Sequence, residues 1–361
     1  MQKNKKKVMF VMPSLGGGGA ERVVSIIANY LAEREYNVNI CLLRENNVAY
    51  KLNNNVHVEC IISKSTNGIK RKLQTLRDLR KLVKKNPGTV FISFLTNENL
   101  YLAFSTLGLP ANIVVSERND PYKTINGRLN RSIVNLLYSI KQCKTVVFQT
   151  NGAMEFYNKK VQKKGIIIPN PIKKELPEIF VGIRRKEIVT FARLEPQKNY
   201  PLLINAFELF SKKYKDYTLG IYGKGELEEQ LKLLVKEKGL DSKVNFYGFC
   251  ADVHNKIRDA AMFVLPSDYE GLSNSMLEAM AIGLPCICTD CSPGGARMFI
   301  KNGINGILVP VKNVDKMYEA MDLIASDSKL ANELSQNASK IKTHLSVEAI
   351  GNKWRALIDN L

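Results

Sequence analysis

Two glutamates eight positions apart, Glu270 and Glu278, lie in the stretch FVLPSDYEGLSNSMLEAM, just after a strand-like apolar run. The run stops at a Pro-Ser turn, Glu270 and Gly271 follow, and Leu277, Ala279 and Met280 then surround Glu278 as in a buried helix. This order predicts Glu270 in a loop at a sheet edge and Glu278 about two turns into a helix that starts from the same edge. Carboxylates so placed accept hydrogen bonds from paired hydroxyls and suit a sugar. They do not suit a hydrolytic pair, because one element holds both on the same side of a ligand. The competing role for Glu278 is a helix salt bridge, and a buried glutamate needs a partner in either case.

Upstream, TFARLEPQKNYPLL carries Arg193 at a strand end and Lys198 at the start of the next helix. Two cations beside free helix N–H groups make a clamp for a diphosphate. Solvated surface charge is the alternative, and their place on the strand's carboxyl side argues against it. Three further turns follow strands. In PSLGGGGAERVV the glycines Gly16 to Gly19 allow close backbone approach to an anion, but Glu21 and Arg22 follow, so neither a dinucleotide fingerprint nor a P-loop is completed. In LGIYGKGELEEQL, Gly223 and Gly225 flank a turn that reads mainly as structural, with backbone available to a ligand. In NFYGFCADVHNKI, Phe249 either stacks on a nucleobase or packs in the core.

Positioning such groups takes a scaffold, and apolar strand runs alternate with helical patterns along the chain. Strands are predicted at 8–12, 38–43, 56–60, 90–94, 113–116, 145–149 and 166–168, then at 188–191, 218–222, 244–247, 262–265, 285–289 and 306–309. Helices fall between them, and 313–358 reads as wholly helical. The proline- and charge-rich segment 169–187 is the predicted linker between domain 1–168 and domain 188–345, with the helix 346–361 packing back on the first domain. The fold class is α/β: two doubly wound, Rossmann-like domains facing across a cleft. Ligands of such sheets bind at the carboxyl ends of the strands, where all of these turns lie.

The 361 residues suit two domains, and 45% apolar with 24% charged residues describes a globular chain. No apolar run approaches the ~18 residues of a membrane span. The basic start followed by VMFVM reads as a first strand rather than a signal peptide, so a cytoplasmic protein is expected. The seven cysteines are odd in number and mostly sit in apolar runs; Cys288 and Cys291 form a C-x-x-C with no second pair to complete a zinc set. Charge is unevenly spread. Residues 1–180 hold 29 Lys and Arg against 12 Asp and Glu, whereas 181–361 hold 24 against 22. The first half is built to face something anionic.

Together, GGGGAER, ARLEPQKN, YGKGELEEQL, NFYGF, LPSDYEGLSNSMLEAMAIGLP and NGINGILV resemble the retaining glycosyltransferases of family four, which have the GT-B fold. The resemblance spans nearly the whole chain. It implies that Arg193 and Lys198 neutralise the leaving nucleotide diphosphate, that Glu270 lies beside the donor sugar, and that Glu278 holds the ribose hydroxyls. It implies donor contacts also from Gly271, Leu272, Ser273 and Gly223, a loop at Gly17, Gly18 and Gly19 over the diphosphate, and a base site near Phe249. The donor would be a UDP-sugar, an N-acetylhexosamine being one candidate. With Arg and Lys supplying positive charge and no Asp-x-Asp in the chain, no metal and no cofactor are expected. Two departures stand out. Where many relatives have an acceptor-side histidine, this chain reads VSERNDP, leaving Glu117 and Arg118 as the acceptor-side candidates. Gly295, Ala296 and Arg297 stand where many carry a glutamate.

The basic surplus lies in the domain that receives the acceptor in this family. Residues 67–86 place Ile69, Leu73, Leu76, Leu79 and Leu82 at helical spacing among eight Lys or Arg and one Asp. Such a helix suits an anionic membrane surface or a lipid diphosphate, while a merely solvated face is the plainer reading. Nucleic acid is not expected, since no binding module appears. The expectation is a transferase at the inner face of the membrane, moving sugar from a UDP-sugar to a lipid-linked or surface glycan. Its rivals are a non-hydrolysing UDP-sugar epimerase of the same fold and a catalytically silent nucleotide-sugar sensor.

Overall fold

Apolar strands and amphipathic helices wind into two parallel sheets in the computed structural model, which describes residues 6–63 and 65–361. The first sheet has β1 Lys7–Met12, β2 Asn37–Leu42, β3 Val56–Cys60, β4 Val90–Phe94, β5 Asn112–Ser116, β6 Cys143–Phe148 and β7 Gly165–Ile167, in the order β3-β2-β1-β4-β5-β6-β7. The second has β8 Arg185–Phe191, β9 Thr218–Tyr222, β10 Val244–Gly248, β11 Ala260–Leu265, β12 Cys286–Thr289 and β13 Ile307–Val309, in the order β10-β9-β8-β11-β12-β13. The strands pair in parallel throughout both sheets. Strands covered on both faces read as unbroken apolar runs, and β4 and β11 are buried along their whole length.

The chain divides into two units, one running to Pro171 and including Val347–Leu361, the other Ile172–Ser346. The division falls near the start of the proline-rich segment. Its last residues, 185–187, are strand rather than linker: Glu187 is buried on the sheet with its carboxylate 2.8 Å from Arg185, so the charge burst there is an ion pair within β8. Likewise, 313–358 is not one continuous helical region. It breaks into Val314–Ser326, Ser328–Ser339, Ile341–His344 and Val347–Asp359, and Asp327 caps the second by accepting the Leu330 N–H at 2.9 Å.

In the first unit, helix α1 (Gly19–Ala32) packs against the C-terminal helix Val347–Asp359. Trp354 of that helix is fully buried and stacks on Phe94 with ring centroids 5.6 Å apart. Gly351 lets the two helices approach, since a Cβ there would lie 2.6 Å from atoms of the Tyr30 ring. Five of the cysteines are buried and all seven are free; burial pushes the Cys143 thiol up to about 12. Among the described residues, no helix is long and apolar enough to cross a membrane, and no three His, Cys, Asp or Glu side chains are grouped to hold a metal ion.

The Tyr30 ring cannot easily yield to a larger neighbour. Its hydroxyl donates to Asn352 at 2.9 Å and the Arg34 guanidinium covers its face at 3.6 Å. Gly351→Val should therefore destabilise the first unit by about 1–3 kcal/mol through overpacking. A urea titration followed by Trp354 fluorescence should show an earlier transition; an unshifted midpoint would show that this helix pair is not tightly packed.

Candidate active site

The second sheet reverses its winding between β8 and β11, so the loops leaving those strands open side by side at the carboxyl edge. Local chemistry fixes both. After β8, the Ala192 N–H donates to Tyr222 O at 3.1 Å and the Leu194 N–H to Lys224 O at 3.0 Å, pressing this loop on the turn after β9. Only glycine fits that turn: Gly223 has φ +147°, and a Cβ on it would lie 1.9 Å from the Ala192 carbonyl oxygen. The chain then makes a 3-10 turn, Pro196–Lys198, and Asn199 caps the helix Tyr200–Lys213. Asn199 Nδ2 also donates to Asp268 at 2.8 Å, and the Asp268 N–H donates to Gln197 O at 2.9 Å. The β8 and β11 loops are thereby bonded to each other.

At the centre of this junction Lys198 Nζ donates to Glu270 Oε1, with both side chains only 11% exposed. Ser267 Oγ donates to the same oxygen at 3.0 Å, and Gln197 Nε2 reaches Oε2 at 3.4 Å. The Glu270 N–H is anchored on Ser292 O at 3.0 Å. Gly271 passes so close to Gly295 that a Cβ on the latter would come within 2.2 Å of the Gly271 carbonyl oxygen. Leu272 is buried, and Ser273 caps the helix Asn274–Ala281 by accepting the Met276 N–H.

Glu278 is the fifth residue of that helix and sits about one turn in, not two, because the residues up to Ser273 are loop and cap. Its Oε2 is 2.9 Å from Nε2 of His254, which lies on the short helix Val253–Ile257. Both side chains are buried, at 3% and 7% exposure. The partner that a buried glutamate requires is thus a histidine.

Other predicted residues stand differently. Arg193 does not share Lys198's carboxylate: it is 68% exposed and pairs with Glu195 at 2.7 Å. The supposed clamp is one buried lysine and one exposed arginine. Phe249, after Gly248 at the end of β10, is 74% exposed, so it does not serve the core. In the first unit, Gly17 adopts φ +109°, Gly18 precedes α1 as its cap, and Gly19 is the first residue of the helix. Tyr50 Oη donates to Gly18 O at 2.9 Å and holds the turn.

Glu117 and Arg118, the acceptor-side candidates, are both committed to the interior of the first unit. Glu117 accepts from Thr96 at 2.9 Å, Asn99 at 3.1 Å and the Tyr138 hydroxyl, and burial pushes its carboxyl above the usual range. Arg118 donates to Asn170 at 3.0 Å with its guanidinium 4.4 Å from the Phe94 ring centroid, and burial lowers it to about 9. Both side chains are buried, and Arg118 Nε and Nη2 have no hydrogen-bond partner there among the described residues.

Residues 171–341 match the family model described as glycosyl transferases group 1. The chain is a glycosyltransferase with the GT-B fold. It is 26% identical over 98% of both chains to a Campylobacter jejuni α-1,4-N-acetyl-D-galactosaminyltransferase named for a GalNAc- and diNAcBac-bearing diphosphoundecaprenol. A second C. jejuni relative, also named as an undecaprenol-linked N-acetylgalactosaminyltransferase, is 29% identical over 90% of this chain and 92% of its own. Among solved structures, Anabaena Alr3699/HepE in complex with UDP and glucose superposes with a TM-score of 0.83 at 16% identity, covering 99% of this chain and 100% of its own.

In the transferase, Ser267 and Gln197 also donate to Glu270 and His254 bonds to Glu278, and sequence reasoning passed over all three. Their signals were faint: a serine after the strand-ending proline, a glutamine beside Lys198, and one of only three histidines, set between Val253 and Ile257. Removing Lys198 strands a carboxylate with little access to water. Lys198→Ala should cost the second unit about 3 kcal/mol, while the double variant Lys198→Met, Glu270→Gln should recover much of it. Equal losses in both, measured by denaturant unfolding, would mean that the pair is not buried as described.

Proposed function

We propose that this glycosyltransferase moves a sugar from a UDP-sugar to a lipid-linked glycan with retention of configuration and without a metal. The observation that carries the reading is the buried Lys198–Glu270 pair where the second sheet reverses. Breaking a sugar–phosphate bond builds negative charge on the departing diphosphate, and a fixed cation in a poorly solvated site stabilises it strongly. Lys198 is such a cation, and exposed Arg193 adds a second. Glu270, already aligned by Ser267 and Gln197, accepts the donor sugar's hydroxyls. Glu278 accepts those of the ribose, and Phe249 with its main chain receives the base. The acceptor hydroxyl attacks on the face from which the diphosphate leaves, a donor phosphate oxygen takes its proton, and retention results with no protein nucleophile.

UDP as the carrier nucleotide is supported by its presence in the similar Anabaena structure. An N-acetylhexosamine donor and an undecaprenol-diphosphate acceptor are supported by the names of the two Campylobacter relatives. The first unit adds its own argument. Helix α2 (Gly68–Lys85) leaves Ile69 73% and Leu73 50% exposed among its lysines and arginines, while Leu79, Leu82 and Val83 are buried. Its amino-terminal half also lines a pocket with Arg71, Lys72 and Arg44. Exposed apolar residues ringed by cations suit an anionic bilayer, which supports a peripheral enzyme on the inner face of the membrane.

Calorimetric titration in EDTA should show UDP binding and GDP binding at least about tenfold more weakly, which is about 1.4 kcal/mol. Glu270→Ala should abolish transfer to an undecaprenyl-linked acceptor while leaving UDP affinity nearly intact; near-normal turnover would refute the assignment of Glu270. Replacing Ile69 and Leu73 together by serine should reduce cosedimentation with phosphatidylglycerol vesicles. Unchanged sedimentation would make α2 an ordinary solvated helix.

A further inference from the structure

His254 is a buried side chain of the second unit that the proposed chemistry leaves unused. It stands where three elements meet. Its Nε2 lies 2.9 Å from Glu278 Oε2 on the helix Asn274–Ala281. Its ring meets Phe191, the last residue of β8, edge-on with centroids 5.5 Å apart. Its own helix, Val253–Ile257, follows directly on the β10 loop that carries Phe249. Phe191 in turn packs on Phe263 of β11 at 5.0 Å.

A side chain can fill such a space without a polar group, and leucine or phenylalanine would do so at no desolvation cost. A buried imidazole is worth keeping only if its hydrogen bond does something. Here it is directed at one oxygen of one carboxylate. A carboxylate at the side of a helix rotates about its last torsion, which is broad and roughly two-fold. A hydrogen bond to Oε2 restricts that freedom and favours one plane in which the group meets a pair of vicinal hydroxyls. Restricting a group before its ligand arrives raises affinity by lowering the ordering cost of binding.

We infer that His254 is a positioning residue for nucleotide binding: by holding Oε2 of Glu278 it orients that carboxylate and ties it to the segment that carries Phe249. The inference rests on the reading of Glu278 as the ribose-binding carboxylate. It concerns a histidine that acts through Glu278 and does not itself touch the nucleotide.

The test is a cycle of variants of the full chain, titrated with UDP by calorimetry, with thermal melts in the absence of nucleotide. Glu278→Ala comes first and tests the ribose reading alone. If UDP affinity is unchanged, that reading fails and this inference with it. If affinity falls, His254 is decided by the remaining arms. His254→Phe, which keeps the aromatic packing on Phe191, should weaken UDP about five- to tenfold, the loss of about one hydrogen bond. His254→Gln, whose side-chain amide can donate from a similar position, should restore affinity to within about twofold of the parent. In a Glu278→Ala background His254→Phe should have no further effect on UDP. A merely structural histidine gives a different result: His254→Phe and His254→Gln lower the melting temperature and the affinity alike, and the loss persists without Glu278. Either of those outcomes overturns the inference.

Discussion

A lysine and a glutamate drawn out of water need each other, and the second unit is organised around keeping Lys198 and Glu270 together. The two residues come from different loops, 72 positions apart, and each loop has to end at the same point for the pair to form. Parallel winding supplies that coincidence: β8 and β11 are neighbours at the reversal of strand order, so their carboxyl ends open side by side. The pair then gives the loops a reason to stay, reinforced by Asn199 on Asp268 and by Gln197 on Tyr269 O at 2.8 Å. On the proposed reading such a pair is both scaffold and chemistry, because the cation that joins the loops is also the one next to which a leaving diphosphate would gather charge.

Close backbone approach is the second constraint. Gly223, Gly225 and Gly295 each stand where a Cβ would come within 2.3 Å of a neighbouring carbonyl oxygen. Those contacts pack the loops after β8, β9 and β11 and the start of the helix Gly295–Phe299 into one rigid edge. Side chains set on such an edge need little ordering when a ligand arrives. The first unit spends its buried polar groups differently. Glu117 accepts from Asn99, Thr96 and Tyr138, whereas Arg118 donates to Asn170 through Nη1 and keeps Nε and Nη2 buried without a hydrogen-bond partner among the described residues.

Much of the fold was legible before any coordinates. The strand runs at 8–12, 90–94 and 218–222 carry their own signal because a strand covered on both faces must be apolar throughout. Breaks were harder to see. Asp327 looks like one more polar residue in a helical stretch until its carboxylate is found capping the next helix, and Arg185 with Glu187 looks like linker until the two pair on the sheet. Likewise the loop lengths before Ser273 decide how deep Glu278 sits in its helix, and a helical pattern alone places it a turn too far along.

The sequence by itself determined the class of architecture and set Arg193, Lys198, Glu270 and Glu278 at the carboxyl ends of β8 and β11, since those depend on local periodicity and on which residue types can hold charge. Only the tertiary structure decided who partners whom. That Lys198 is bound to Glu270 while Arg193 turns to Glu195, that Phe249 stays in solvent, and that Glu278 leans on His254 all depend on strand order and register. Such pairings are set by distances across the sheet between residues far apart in the chain, and no local pattern encodes them.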